Sequence, residues 1–144
     1  MAIIDELKQG VTTDSAEQTR ALAAELASAL PADATLALHG NMGVGKTTFV
    51  QGLAQGLGVP GQVTSPTFAI YTVYQGASRR LVHLDAYRLE GERQIEPLLL
   101  EEFLLSPYCL AVEWPEKTGA WLPPDAWHLT LSIVDRDRHR VVLM

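Results

Sequence analysis

Residues 40–48 read GNMGVGKTT, which sets Gly40, Gly45, Lys46 and Thr47 at the spacing Gly-x-x-x-x-Gly-Lys-Ser/Thr. Glycines so placed let successive main-chain N–H groups turn into one concavity the size of a phosphate chain. Lys46 can then reach the β- and γ-phosphates, and the Thr47 hydroxyl can take a Mg²⁺ coordination position. The flanks agree. Residues 34–39 (ATLALH) are an apolar run suited to a buried strand, and residues 47–57 carry Phe49, Val50, Leu53, Ala54 and Leu57 at helical spacing. Strand, glycine loop and helix in that order set a helix N-terminus behind bound phosphate. The spacing predicts a nucleotide-binding protein, with contacts running from Gly43 through Val44, Gly45, Lys46 and Thr47 to Thr48. A surface turn that merely contains Lys-Thr would not need these flanks.

The 144 residues are 47% hydrophobic and 19% charged, the balance of one globular domain over residues 1–144. No apolar stretch approaches the roughly 20 residues that cross a bilayer, and the start lacks a secretory pattern, so no membrane association is expected. Cys109 is the only cysteine, which excludes an intramolecular disulfide and fits a cytoplasmic location. Net charge is −6, which argues against this chain gripping nucleic acid by itself. The acids avoid residues 34–84 altogether, while Lys46, Arg79 and Arg80 lie there. Polyphosphate binding and plain burial both exclude carboxylates from such a stretch.

Outward from the loop, Ser15 to Gln18 resembles a capping box, and Leu22, Ala23, Leu26, Ala27 and Leu30 give the first helix one apolar face. Residues 67–74 and 79–85 read as an antiparallel hairpin, residues 92–105 as a helix that begins or bends at Pro97, and residues 109–113 (CLAVE) as a short strand. Residues 127–135 and 140–144 suggest a terminal antiparallel pair. The fold expected is α/β, with a mixed parallel/antiparallel sheet flanked by helices.

A Mg²⁺–triphosphate site needs a carboxylate where an apolar strand ends near the phosphates. Asp85 after LVHL and Glu113 after CLAV both qualify. One would hold the metal directly or through water, and the other would orient the attacking water. Thr67, in Ser65-Pro66-Thr67-Phe68, occupies the interval that in P-loop hydrolases often carries a threonine reporting the γ-phosphate; a plain turn explains it equally well. For His83 and His39 in their apolar strands, a hydrogen-bonded structural role outweighs catalysis. Trp114, Trp121 and Trp127 fall in one irregular, proline-containing segment, where packing outweighs partner binding.

GNMGVGKTTFVQGL, VTSPTFAIYTVY, LVHLDAYRL and LAVEWPEKTGAWLP together resemble the TsaE family, small P-loop ATPases of bacterial tRNA threonylcarbamoyladenosine modification. The likeness implies ATP rather than GTP, with Lys46, Thr47 and Thr48 at the phosphates and metal. It also implies that Asp85 and Glu113 serve Mg²⁺ or water, that Trp114 lines the site, and that TsaD- and TsaB-like proteins are partners holding the tRNA. The chain departs from the family's usual Asp-Leu at Asn41-Met42, its Ala at Val44, its aliphatic residue at Ala86 and its glycine near Leu99. Beside this ATPase reading stand a nucleotide-gated adaptor, in which binding rather than hydrolysis matters, and a small-molecule phosphotransferase.

Overall fold

The computed structural model of the chain describes residues 2–64 and 70–144. Its strands are β1 (Val11–Thr13), β2 (Asp33–His39), β3 (Tyr71–Gln75), β4 (Arg80–Asp85), β5 (Tyr108–Glu113), β6 (Trp127–Ile133) and β7 (His139–Leu143). Its α-helices are α1 (Ala2–Gln9), α2 (Ala16–Ala29) and α3 (Lys46–Gly56). The strands form one sheet in the order β1-β7-β6-β2-β5-β4-β3. β6, β2, β5 and β4 run parallel, while β7 and β3 pair antiparallel to them at the two sides. The mixed sheet, the hairpin and the terminal pair therefore match expectation.

Strand alternation divides the core. Leu36, Leu38, Leu81, Cys109 and Ala111 face the helices, where Leu7, Leu26, Phe49, Val50 and Leu53 bury against them. Val82, Leu84, Leu110 and Val112 point to the opposite face and meet Leu89, Ile95 and Leu100. Each fully buried leucine contributes about 1.5–3 kcal/mol of transfer free energy, more than propensity supplies to helices this short.

α2 begins as its sequence indicates, with the Ser15 Oγ accepting from the Gln18 N–H at 3.1 Å. The return bond is shifted by one residue, since Gln18 Oε1 accepts from the Asp14 N–H at 2.7 Å. α2 then lies close against α3. A Cβ at Gly52 would stand 2.3 Å from the Arg20 carbonyl oxygen, and one at Gly56 would stand 2.6 Å from that of Ala24. The two backbones touch where those glycines sit, and this contact fixes α3 on the sheet.

Two expectations need correction. The helix at residue 16 is not the first element, because α1 and β1 precede it; Ile3 and Leu7, one turn apart, bury α1's inner face. Residues 92–105 do not form an α-helix but three 3₁₀ turns, Glu92–Gln94, Glu96–Leu98 and Leu100–Phe103. Pro97 has no N–H to donate and disfavours helical geometry at Glu96. Leu99 then adopts a left-handed conformation (φ 53°), and bonds such as Leu98 N–H to Ile95 O close after three residues rather than four.

Leu99 is 55% exposed, so its side chain loses little if removed. Leu99→Gly should raise stability by about 0.5–1 kcal/mol by relieving the left-handed strain, read as a higher urea midpoint. Gly52→Ala should lower the midpoint, by about 1–3 kcal/mol, because the α2–α3 contact has to open.

Candidate functional site at the C-terminal edge of the parallel strands

Parallel pairing gathers the chemistry at one edge. In register, Leu38 of β2 stands beside Glu113 of β5, and Glu113 beside Asp85 of β4. The two carboxylates thus end adjacent strands, next to the strand that feeds the glycine loop. Gly40 opens that loop with φ 145°, and a Cβ there would meet the Leu131 carbonyl oxygen at 2.6 Å. Val44 buries its side chain among the core residues of the helix face. Gly45 follows in the left-handed region (φ 101°) as the residue preceding α3, with no side chain capping the helix. The first-turn N–H groups of α3 therefore form a ready anion site.

A cleft of about 380 Å³ lies against this edge. Gly43, Gly45, Lys46, Thr47 and Thr48 line it from the loop and helix, Asp85 and Glu113 from the strands, and Trp114 beside them. Thr67 lies outside the described residues. The remaining sequence candidates come together around one space, except Val44, whose side chain lies in the core.

Lys46 is 5% exposed. Its Nζ donates to the Gly40 carbonyl at 2.6 Å and stands 3.9 Å from the centroid of the Trp114 ring. Burial pushes its pKa below the ordinary lysine value, partly opposed by the charges of Glu113, Asp85 and Glu116. Trp114 reaches the ammonium from a left-handed backbone (φ 56°, ψ 53°), a strained position for a tryptophan, with its ring 5.1 Å from that of Tyr87.

Asp85 Oδ1 accepts from the Tyr87 N–H at 3.0 Å, a local turn that aims the chain after β4 along the cleft. Glu113 is 4% exposed, and its Oε2 accepts from His83 Nε2 at 2.6 Å. The hydrogen-bonded role favoured for His83 holds, and its partner is a candidate site carboxylate. His39 likewise finds a partner, His128, with Nε2 and Nδ1 2.8 Å apart. Of the other tryptophans, Trp121 donates to Glu101 at 2.8 Å and Trp127 packs against the core from β6.

Sequence reasoning missed Tyr87, Met42 and Lys117. Tyr87 and Met42 also line the cleft, both exposed, and Lys117 donates to the Tyr87 carbonyl at 2.9 Å. Tyr87 could have been found from its place two residues after Asp85, where a turn-forming aspartate reverses the chain. Lys117, thirty residues further on, had no local signal.

Fold and cleft together define an α/β protein of the P-loop class. Residues 13–142 match the family model described as "Threonylcarbamoyl adenosine biosynthesis protein TsaE". The chain belongs to the TsaE family. The tRNA threonylcarbamoyladenosine biosynthesis protein TsaE of Bacillus subtilis (strain 168) is 36% identical over 130 residues, spanning 90% of this chain and 80% of that one. Its counterpart in Streptomyces coelicolor is 47% identical over 116 residues, 78% of each chain, and that of Aquifex aeolicus 36% over 138 residues, 94% and 96%. The crystal structure of Bacillus subtilis YdiB superposes with a TM-score of 0.73 at 31% identity, covering 93% of this chain and 82% of its own.

The lowered Lys46 value has a consequence for stability. Between the folded-state value and the ordinary one, the unfolded chain binds more protons than the folded chain, so stability rises with pH. Thermal midpoints of the wild type relative to Lys46→Met should therefore climb as pH rises towards the ordinary lysine value. The opposite slope would mean that attraction to Glu113 and Asp85 outweighs burial.

Proposed function

We propose that this chain binds and hydrolyses ATP with Mg²⁺, in support of threonylcarbamoyladenosine formation on tRNA. The observation that carries the reading is one cleft shared by the uncapped N-terminus of α3, the Lys46 ammonium and two carboxylates at adjacent strand ends. The amides from Gly43 to Thr48 would hold the phosphates. Lys46 would exchange the Gly40 carbonyl for phosphate oxygens, charge-assisted acceptors that bind an ammonium more strongly. Thr47 and one of Asp85 and Glu113 would hold the metal, and the other carboxylate would orient water for in-line attack.

The residues fit a magnesium ion of this kind. Among the described residues no three His, Cys, Asp or Glu side chains form a metal cage, and Mg²⁺ in phosphate sites is held by one or two carboxylates, water and the phosphates. When bound, it would neutralise charge building on the phosphate oxygens. Trp114 would keep Lys46 aimed along the cleft.

The relatives carry tRNA threonylcarbamoyladenosine biosynthesis in their names, which supports the same pathway here, in the cytoplasm. With a net charge of −6, this chain would leave the tRNA to TsaD- and TsaB-like partners. Met42 and Tyr87, exposed where they line the cleft, favour a second reading in which nucleotide occupancy gates partner docking and hydrolysis is secondary.

Lys46→Ala should cut phosphate release from ATP by about 10²-fold or more while the circular dichroism spectrum stays native. Unchanged turnover in a folded variant would reject the ATPase assignment. Glu113→Gln separates the second reading: partner assembly retained without turnover would support gating by occupancy.

A further inference from the structure

His83 is wholly buried in β4, on the face of the sheet that carries α3. Register sets it opposite Ala111 on β5, one strand repeat before the Asp85–Glu113 pair. Residues diagonal across neighbouring strands lie within reach of long side chains, and the small Ala111 leaves room for the imidazole to lean towards Glu113. Their atoms meet at 2.6 Å, Nε2 to Oε2. A carboxylate oxygen in such a bond accepts, so Nε2 is the donor to Glu113 and Nδ1 is the ring nitrogen left over. Among the described residues that Nδ1 has no partner. Enclosing an unsatisfied nitrogen costs stability, and neighbours such as Leu81 and Ala111 would accommodate an apolar side chain. The histidine is explained by what its Nε2 does.

We propose that His83 is a positioning residue for Glu113. Its Nε2–H holds Oε2 and fixes the carboxylate's orientation, leaving Oε1 for the cleft that Glu113 lines. Partners of this kind orient the groups that act on a metal or water, and removing them typically costs about 10–100-fold in activity or metal affinity. The kinetic part of this proposal rests on the ATPase reading above, whereas the structural part does not.

The test compares wild type with His83→Gln, which keeps a donor of similar reach, and His83→Leu, which has none. His83→Leu should lower kcat for ATP by about 10–100-fold while KM and the affinity for a fluorescent ADP analogue stay within about 3-fold. His83→Gln should restore most of kcat. In nucleotide-free, magnesium-free protein, ¹⁵N-edited NMR should find a slowly exchanging His83 Nε2–H that vanishes in His83→Gln and shifts in Glu113→Gln. Equal kcat in His83→Leu and wild type overturns the proposal, as does a folded His83→Gln no better than His83→Leu, or absence of the Nε2–H resonance. If His83→Leu does not fold, a His83→Gln turnover below about a tenth of wild type overturns it. Wild type that releases no phosphate defeats the ATPase reading instead, and the NMR resonance then decides the positioning role alone.

Discussion

An α-helix that begins without a capping side chain leaves its first N–H groups to water or a ligand, and holding them at one fixed place takes a rigid surrounding. α3 begins that way behind Gly45, and its rigidity comes from elsewhere in the chain. Phe49, Val50 and Leu53 seat it on the sheet, and Gly52 and Gly56 let α2 press against its far half. The loop before it is pinned by Val44 in the core and by Gly40 against β6. Local cost at the helix start is thus met by packing spread over most of the helix face. The same parallel strands that support α3 deliver Asp85 and Glu113 to its front.

Lys46 sits within this frame as a buried cation with two weak partners, a carbonyl and an aromatic face. Neither neutralises it, and the nearby carboxylates offset its burial only in part. Such a group favours a multiply charged anion over water. Trp114 is itself the left-handed residue that follows β5, so backbone strain coincides there with the contact its ring makes with Lys46.

Much of this could be read in the chain. The glycine loop, the strands on either side of it and the carboxylates closing two apolar runs are local signals, and local signals survive folding. The helix expected at residues 92–105, beginning or bending at Pro97, is instead a series of 3₁₀ turns, interrupted by the left-handed Leu99. α1 was passed over because eight residues carry too little periodicity to stand out, although Ile3 and Leu7 were spaced for it. The meeting of His83 with Glu113 and of Lys117 with Tyr87 depends on strand order and register, which no window of sequence contains. Thr67 lies outside the described residues.

The aromatic perch beneath Lys46 bears on how firmly an anion can be gripped. A lysine with nowhere else to go would surrender its cargo slowly, because release would strand a bare ammonium in an apolar wall. Here, under the proposed reading, a ring face and a carbonyl would take the place of a departing phosphate, which would ease its dissociation. Such an arrangement would moderate tightness and shorten residence, a setting suited to a cycle whose pace is governed by exchange.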